Sequence, residues 1–283
     1  MITSVFRKIL CPIFAVFVLI MNFSEKTPEN FVKPVRTESF VLTDALERGQ
    51  GVTTDGKYYY FSGNYFLIKT TMNGFTLIRN REAIPFELLK KGCDHIGGIS
   101  YLDGYIYASV EDSGSFQNLY LLKFDADTLR CVKYEKMPSE YHEKGAPWVV
   151  ADSGNGIIYS ARCDDIQEMN MYSSDSLKFL GTFPLSKTSL RLDNIQGGEI
   201  YDNIMYLSVS HGNHEIYAVN MKTGETVLAL SRNLPEKSEG EDMTVFHASD
   251  GSFFHVLDIG SVRVGCHLRH YAFDPDTIKW SLS

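Results

Sequence analysis

Short apolar and aromatic runs alternate with turns rich in Asp, Asn and Gly along most of the chain. In the most regular pattern, a glycine-containing segment leads into a short β-type run, a tight turn follows, and an aromatic-rich run comes next. Short runs of this kind between tight turns predict antiparallel strands joined by hairpins. The pattern occurs in five copies, at residues 50–62, 97–109, 146–160, 196–208 and 240–256.

The equivalent aromatic positions of these copies are evenly spaced, by 47, 52, 47 and 48 residues. They are Tyr60, Tyr107, Tyr159, Tyr206 and Phe254. A third run follows at, for example, 119–129 and 216–225, and a fourth at 75–80 and 226–231. Four antiparallel strands repeated every ~40 to 50 residues are typical of a β-propeller blade. The sequence predicts an all-β fold, a five-bladed β-propeller of four-stranded blades, with a six-bladed ring containing one degenerate blade as the alternative.

Two segments compete for the outermost strand of the last blade. Residues 39–51 have the form of a fourth strand leading into the next blade, yet no first three strands precede them. Residues 278–283 are the other candidate. We expect the N-terminal strand to close the ring, with the C-terminal segment as an outer addition or short tail, and the repeated aromatics to pack between blades.

The first residues have features of an export signal. Arg7 and Lys8 precede an apolar run at 9–23, which has the length of a signal-peptide core and is short for a membrane span of ~20 residues. No small-x-small cleavage site follows, so cleaved signal peptide and uncleaved signal anchor both stay open, and a buried core helix is a third interpretation. The predicted organisation is a signal peptide or anchor at 1–24, a polar tether at 25–37 and a propeller at 38–283. We expect a secreted or membrane-anchored protein that contacts the membrane only through its N-terminal segment.

The charge balance excludes one class of partner. The chain has 27 Lys and Arg against 35 Asp and Glu, a formal net charge of −8, and no basic cluster interleaved with aromatics. Nucleic-acid binding, which depends on cations that neutralise phosphates, is therefore not expected. The expected partner is a small molecule or an extracytoplasmic protein.

Gln-Gly elements at the start of predicted inner strands carry a family resemblance. Gln50-Gly51 and Gln196-Gly197-Gly198-Glu199 resemble those of the glutaminyl cyclotransferase-like group, within the exported repeat-type propellers that include quinoprotein-like and lactonase-like domains. The resemblance covers residues 38–278 at the level of blade pattern and implies the five-bladed fold. The resemblance also implies an alternative to a binding protein. This alternative is a propeller enzyme, a hydrolase, a lactonase or a glutaminyl cyclotransferase-like protein, with a central cation or carboxylate cluster.

One face of the predicted ring carries most of the polar chemistry. In a four-stranded blade, the loop before the innermost strand and the loop between the second and third strands lie on the same face, here called the upper face. Turns on the opposite face, such as Asp55-Gly56, have residue types that hairpin geometry alone explains. The upper face is therefore the predicted recognition surface, although no complete catalytic motif occurs and no catalytic residue is assigned. The predicted ligand-binding residues are Asp94, His95, Trp148, Arg162, Gln196, His211 and Glu241.

Three of these residues have competing interpretations. His95 lies in the segment Asp94-His95-Ile96-Gly97-Gly98. In a functional interpretation it is a general base or a metal ligand that Asp94 orients. In a structural interpretation the segment only starts an inner strand, and its glycines are needed where the inner strands crowd the axis. His211 lies three residues from His214 and would form a zinc site only with a third ligand. Trp148 is a candidate for lining a ligand pocket.

An acidic run at the start of the last inner strand suggests a cation. Glu239, Glu241 and Asp242 lie within four residues, and such oxygen-rich clusters suit Ca²⁺. Together with Asp94 they form the predicted metal site, and a solvated acidic loop is the alternative. If these acids converge, the pKa of at least one carboxyl should be raised unless a cation or His95 compensates.

The blade pattern limits disulfide formation among the cysteines at 93, 131, 163 and 266. Cys93 and Cys131 have two strands between them, about 14 Å, which is too far for a bridge. Cys93 with Cys163 is the one pair on adjacent blades and the same face, and free thiols are the default expectation.

Overall fold

The structure, a computed structural model, describes residues 28–281 except 187–189, 191, 262 and 264. The predicted signal peptide or anchor at 1–24 lies outside the described residues. Within the described part of the chain, no helix is long and apolar enough to cross a membrane.

The described chain forms five sheets, each of four antiparallel strands in the sequence order of a propeller blade. Blade one consists of β2 (Gly51–Thr54), β3 (Tyr58–Gly63), β4 (Phe66–Thr71) and β5 (Thr76–Asn80). Blade two consists of β6 (His95–Leu102), β7 (Tyr105–Glu111), β8 (Tyr120–Asp125) and β9 (Cys131–Lys136). Blade three consists of β10 (Val150–Asp152), β11 (Ile157–Ser160), β12 (Glu168–Ser173) and β13 (Phe179–Pro184). Blade four consists of β14 (Ile195–Tyr201), β15 (Ile204–Val209), β16 (Glu215–Asn220) and β17 (Thr226–Ser231).

Blade five confirms that the N-terminal strand closes the ring. Its strands are β18 (Glu239–Val245), β19 (Phe254–Ile259), β20 (Gly265–Tyr271) and, outermost, β1 (Arg36–Val41). β1 pairs antiparallel with β20, with Arg36 opposite His270 and Val41 opposite Gly265. After a 3-10 turn at Pro275–Thr277, Ile278 and Trp280 pack on the outside of the core, as expected for an outer addition.

Local chemistry explains most of the hairpins. Asp103 and Gly104 between β6 and β7 both have positive φ, 48° and 83°, as do Asp202 and Asn203 between β14 and β15, at 49° and 60°. Two-residue turns of this conformation match the twist of antiparallel strands and favour Asp, Asn and Gly. The short helices α1 (Thr43–Arg48) and α2 (Phe86–Leu89) occupy loops that lead into blades one and two.

The core consists of apolar layers between neighbouring blades. The repeated aromatics are at most 4% exposed, and Tyr60 of blade one stacks on Tyr101 of blade two with ring centroids 5.9 Å apart. The predicted packing of these rings between blades is thus confirmed. The four described cysteines are free thiols. The inner strands β2, β6, β10, β14 and β18 contact one another around the central axis.

Candidate functional site

Three inner strands contain a bulge near the upper face. The pairing register shifts near the start of β6, β14 and β18. A bulge inserts an unpaired residue and bends the strand, so these segments approach one another across the axis. A Cβ atom on Gly98 would lie 2.5 Å from the carbonyl oxygen of Gln196, an approach that only glycine permits.

The carboxylate of Asp242 links three blades at the axis. Its Oδ2 accepts hydrogen bonds from the backbone N–H groups of Val52 in blade one (3.1 Å) and Ile99 in blade two (2.9 Å), and its Oδ1 accepts one from Met243 (2.8 Å). Asp242 is completely buried, and a Cβ atom on Gly197 of blade four would lie only 1.6 Å from its Oδ1. Burial raises the pKa of Asp242 well above its ordinary value, although the three backbone hydrogen bonds act in the opposite direction.

A second acid, Glu199 of blade four, lies near Asp242. Its Oε2 accepts hydrogen bonds from the hydroxyl groups of Thr53 (3.4 Å) and Thr244 (3.3 Å), which belong to blades one and five. Burial raises the pKa of Glu199 to about 8, and these two bonds only partly oppose it. The negative charge of Glu199 also contributes to the raised pKa of Asp242. The centre of the ring therefore contains two protonatable acids held by three blades.

An imidazole is held by hydrogen bonds on both sides at the start of β6. His95 Nδ1 lies 3.2 Å from Glu111 Oε1, and His95 Nε2 lies 2.6 Å from Gln50 Oε1. Gln50 Nε2 donates to the carbonyl of Gly49 (3.0 Å), which fixes the orientation of the amide. Glu111 Oε2 also accepts from the N–H of Ala146 (2.8 Å). Both ring nitrogens thus have an oxygen atom within hydrogen-bond distance, and together these two contacts fix the orientation of the ring.

Glu241 lies in the bulge of β18 and has surroundings unlike those of the other central acids. It is 4% exposed, and no hydrogen bond or ion pair joins its carboxyl group to the rest of the described chain. Burial, followed by the charges of Glu239, Asp242 and Asp258, raises its pKa well above the ordinary value, while Arg263 acts in the opposite direction. Glu239 itself pairs with Arg263 at 3.3 Å. The pKa of a carboxyl group is thus raised here and at Asp242, mainly by burial and to a smaller extent by neighbouring acids.

Four of the predicted ligand-binding residues, Asp94, Trp148, Arg162 and His211, have other surroundings than the central acids. Asp94 accepts hydrogen bonds from Ser113, and Arg162 lies 3.7 Å from Glu143 as an ion pair. Trp148 is fully buried between blades three and four, and its Nε1 has no hydrogen-bond partner within the described chain. His211 Nε2 is buried and also lacks one there.

His95, Gln196 and Glu241 are the predicted residues that lie at the starts of inner strands, around the upper opening of the axis. This region is called the mouth below. Within the described residues, no group of three or more His, Cys, Asp or Glu side chains is placed to hold a metal ion. The Ca²⁺ site at Asp94, Glu239, Glu241 and Asp242 stays a prediction.

Sequence reasoning did not select Gln50, Glu111 and Glu199 as site residues. Each bonds a group from a distant part of the sequence, so its role depends on the ring. A signal for Gln50 was present, because Gln50-Gly51 and Gln196-Gly197 occupy equivalent places in the repeat.

Comparison with known proteins identifies the fold. No family model matches the chain, and no curated protein matches it in sequence. Among solved structures, the chain is similar to the glutaminyl cyclase of Myxococcus xanthus, with a TM-score of 0.55 and 11% sequence identity over 86% of this chain and 100% of that one. The likeness confirms the predicted resemblance to five-bladed propellers at the level of the fold.

Proposed function

We propose that this chain is an exported or membrane-anchored ligand-binding propeller whose mouth holds a small organic molecule. The observation that carries the proposal is Glu241, a buried carboxyl group without a hydrogen-bond partner in the described chain. A side chain that is 4% exposed has lost most of its hydration, and polar groups in such surroundings usually have a hydrogen-bond partner in the protein. A ligand donor at the mouth supplies the partner that Glu241 lacks.

The neighbouring groups favour a rigid binding surface. Gln50 and Glu111 hold the ring of His95 from both sides, so the imidazole keeps one orientation whether or not a ligand is present. Side chains held in this way lose little conformational entropy on binding. Export rests on the N-terminal sequence, and an extracytoplasmic protein is the other class of partner that the sequence leaves open.

A thermal-shift screen of the full chain against small organic metabolites tests the proposal. We expect at least one compound to raise the melting temperature of the wild type, because binding to the folded state stabilises it. The shift should be lost in Glu241→Gln and retained in Asp276→Asn, the same acid-to-amide change in an exposed turn. A compound that shifts Glu241→Gln as strongly as the wild type would place binding elsewhere.

An enzyme is the second candidate, favoured by one specific observation. A carboxyl group with a raised pKa, Glu241, lies on the same face as an imidazole held by a carboxylate, His95 with Glu111. Such a combination suits proton transfer. Hydrolysis, lactone opening and glutaminyl cyclisation, the last named for the Myxococcus xanthus protein, are the reactions to assay. Turnover that Glu241→Gln abolishes without weakening substrate binding would favour the enzyme.

A further inference from the structure

Five large apolar side chains are exposed together on one sector of the upper face. They come from the loops that contain α1 and α2 and from the loop between β3 and β4, and each is between 39% and 70% exposed. They are Leu42, Leu46, Tyr65, Phe86 and Leu89. Tyr65 lines a groove of 580 Å³ together with Leu42 and Leu46, and a second groove of 350 Å³ together with Leu89. The two grooves therefore join these side chains into one surface, called the apolar patch below.

The apolar patch differs from the other exposed apolar positions of the ring. Leu180 on β13 and Leu228 on β17 lie on the outer strands of two separate blades. Single exposed apolar side chains are normal on a protein surface, whereas a contiguous group marks a site of contact with another molecule or with a membrane.

The charged groups at the border of the apolar patch are largely balanced. Arg81 and Arg263, which line the two grooves, pair with Glu47 (2.9 Å) and Glu239 (3.3 Å). Lys90 Nζ lies 4.4 Å from the centroid of the Phe86 ring. A long cationic side chain beside an apolar surface keeps its charge in the polar layer while its stem covers apolar groups. This border suits an occupant that is apolar inside and carries both signs of charge outside, such as a zwitterionic phospholipid bilayer.

The described chain begins on the same face as the apolar patch. The carbonyl of Asn30 accepts a hydrogen bond from the amide of Asn233 (2.9 Å), and the N–H of Val32 donates to the carbonyl of Arg232 (3.2 Å). Arg232 and Asn233 lie in the loop before the inner strand β18, which belongs to the upper face. The chain then forms β1, the outer strand of blade five, which ends at Val41, directly before the α1 loop of the patch.

The sequence before this point brings the upper face close to a membrane. The apolar run at 9–23 is the predicted anchor, and four residues, 24–27, separate it from Pro28. Five residue steps of fully extended chain span at most about 18 Å. An anchor in a bilayer therefore holds the start of the described chain, and with it the rim of the upper face, close to the bilayer surface.

We propose that the apolar patch docks on the surface of the zwitterionic phospholipid bilayer that holds the N-terminal segment. The proposal rests on the membrane-anchored form of the proposed function and is independent of the mouth ligand. It goes beyond the expectation that only the N-terminal segment contacts the membrane. Leu46, Phe86 and Leu89 enter the boundary between headgroups and acyl chains, ~5–10 Å deep, as the apolar faces of interfacial helices do. Tyr65 lies at the headgroup level, where amphipathic rings are favoured.

Tryptophan reporters in the full chain, reconstituted in phosphatidylcholine vesicles, test this inference. Bromine atoms on the acyl chains, close to the headgroups, quench a tryptophan only when it contacts them. Leu46→Trp and Phe86→Trp place reporters in the patch, and the wild type, with Trp148 and Trp280, gives the baseline. We expect brominated vesicles to reduce the fluorescence of each added tryptophan by about half, because interfacial side chains reach this depth. Leu180→Trp is the matched control and should not be quenched, because Leu180 is an exposed leucine on blade three, away from the patch.

A pair of serine substitutions separates docking from anchoring. In the Phe86→Trp chain, Leu46→Ser with Leu89→Ser removes apolar area and should weaken docking about a hundredfold, so the quenching is lost. Leu180→Ser with Leu228→Ser removes two exposed leucines elsewhere and should leave the quenching unchanged. All of these chains should still float with the vesicles, because the N-terminal segment is intact. Added phosphatidylglycerol should not increase the quenching, because the chain has a net charge of −8.

The possible failures identify which proposal is wrong. If the chain floats with the vesicles but neither patch reporter is quenched, or if Leu180→Trp is quenched equally, docking through the patch is wrong while the anchored form stands. If the full chain does not float with vesicles, both docking and the membrane-anchored form fail, and the ligand screen still decides the mouth. Unquenched reporters in a dimer that the Leu46→Ser, Leu89→Ser pair converts to a monomer would identify a second copy of the chain as the occupant and overturn the proposal.

Discussion

The hydrogen bonds of Asp242 should make it the most sensitive position at the centre of the ring. In Asp242→Ala, the N–H groups of Val52, Ile99 and Met243 lose their acceptor, and all three residues are completely buried. An unsatisfied buried donor costs about 1–3 kcal/mol. Removal of a buried carboxyl also removes its desolvation cost, so the lower end of the sum, about 3 kcal/mol, is expected. That is a large part of the ~5–15 kcal/mol that stabilises a typical domain.

Asp242→Asn distinguishes the hydrogen bonds from the charge. One amide oxygen can still accept the two bonds made by Oδ2, so only one donor is left unsatisfied and the loss should be about 1 kcal/mol. Urea unfolding, followed by tryptophan fluorescence, gives both values if the slope of the transition is unchanged. The exposed Asp276→Ala should stay within about 0.5 kcal/mol of the wild type. If Asn destabilises as much as Ala, or if neither changes the midpoint, the three backbone bonds do not carry the effect.

A double-mutant cycle with Gly197 gives an independent measurement of the same contact. A Cβ atom at position 197 would lie 1.6 Å from Asp242 Oδ1 and 2.7 Å from its Cβ, so Gly197→Ala must displace the Asp242 side chain. In an Asp242→Gly background those atoms are absent, and the same substitution should cost about 2 kcal/mol less. Additive costs would contradict the close approach of the two residues.

Three further predictions concern charged groups in the ring. Glu199→Gln should be more stable than the wild type, and the difference in stability should widen as pH rises from about 4.5 to about 8. The raised pKa of Glu199 keeps a proton bound in the folded state that the unfolded chain loses over this range, so the wild type loses stability. Melting temperatures of both proteins between these pH values would show the effect. Burial opposes ionisation of Glu38, but the nearby His270 imidazole and the Arg36 guanidinium lower its pKa overall. Glu38→Gln should therefore lower the melting temperature at pH 7 and lose its effect as pH falls below about 4.5. Lys69 is buried, and its ammonium group donates to a backbone carbonyl of blade two (3.2 Å) and to Asp127 (2.9 Å), whose side chain is 90% exposed. Urea unfolding should show that Lys69→Ala lowers the free energy of unfolding by about 2 kcal/mol. Asp127→Ala should lower it by less than about 0.5 kcal/mol, because an exposed ion pair contributes little.

The five blades could be predicted because their signals are local and repeated. A two-residue turn such as Asp103-Gly104 fixes one hairpin, and the even spacing of buried aromatics fixes the blade. The helix α1 was not predicted within residues 39–51, where a strand leading into blade one was expected. It has six residues, Leu42 at its start makes no side-chain cap, and Leu42 has a φ of +57°, so packing on blades one and five, rather than local propensity, holds this helix.

The site could be predicted only in part because its contacts cross the ring. The repeat register correctly brought His95 and Glu241 to the upper face, since both start inner strands. It did not reveal the bulges, which depend on pairing between strands, or that Glu111 rather than Asp94 holds His95. The Gly-Gly doublets carried the missing information, because a side chain at Gly98 or Gly197 would collide with groups of another blade.

The central acids differ in their hydrogen-bond partners, and this difference distinguishes the acids that hold the ring together from the one that is available to a ligand. Asp242 accepts three backbone hydrogen bonds, Glu111 accepts one besides facing His95, and Glu199 accepts from two threonine hydroxyls. Each of these acids connects blades, so its burial contributes to the ring itself. Glu241 is buried as deeply as Glu111 but connects no blades through any hydrogen bond of the described chain. An unpaired acid with so little exposure costs free energy, so the hydrogen bonds that hold the ring do not explain Glu241, and the ligand screen with Glu241→Gln tests whether binding does.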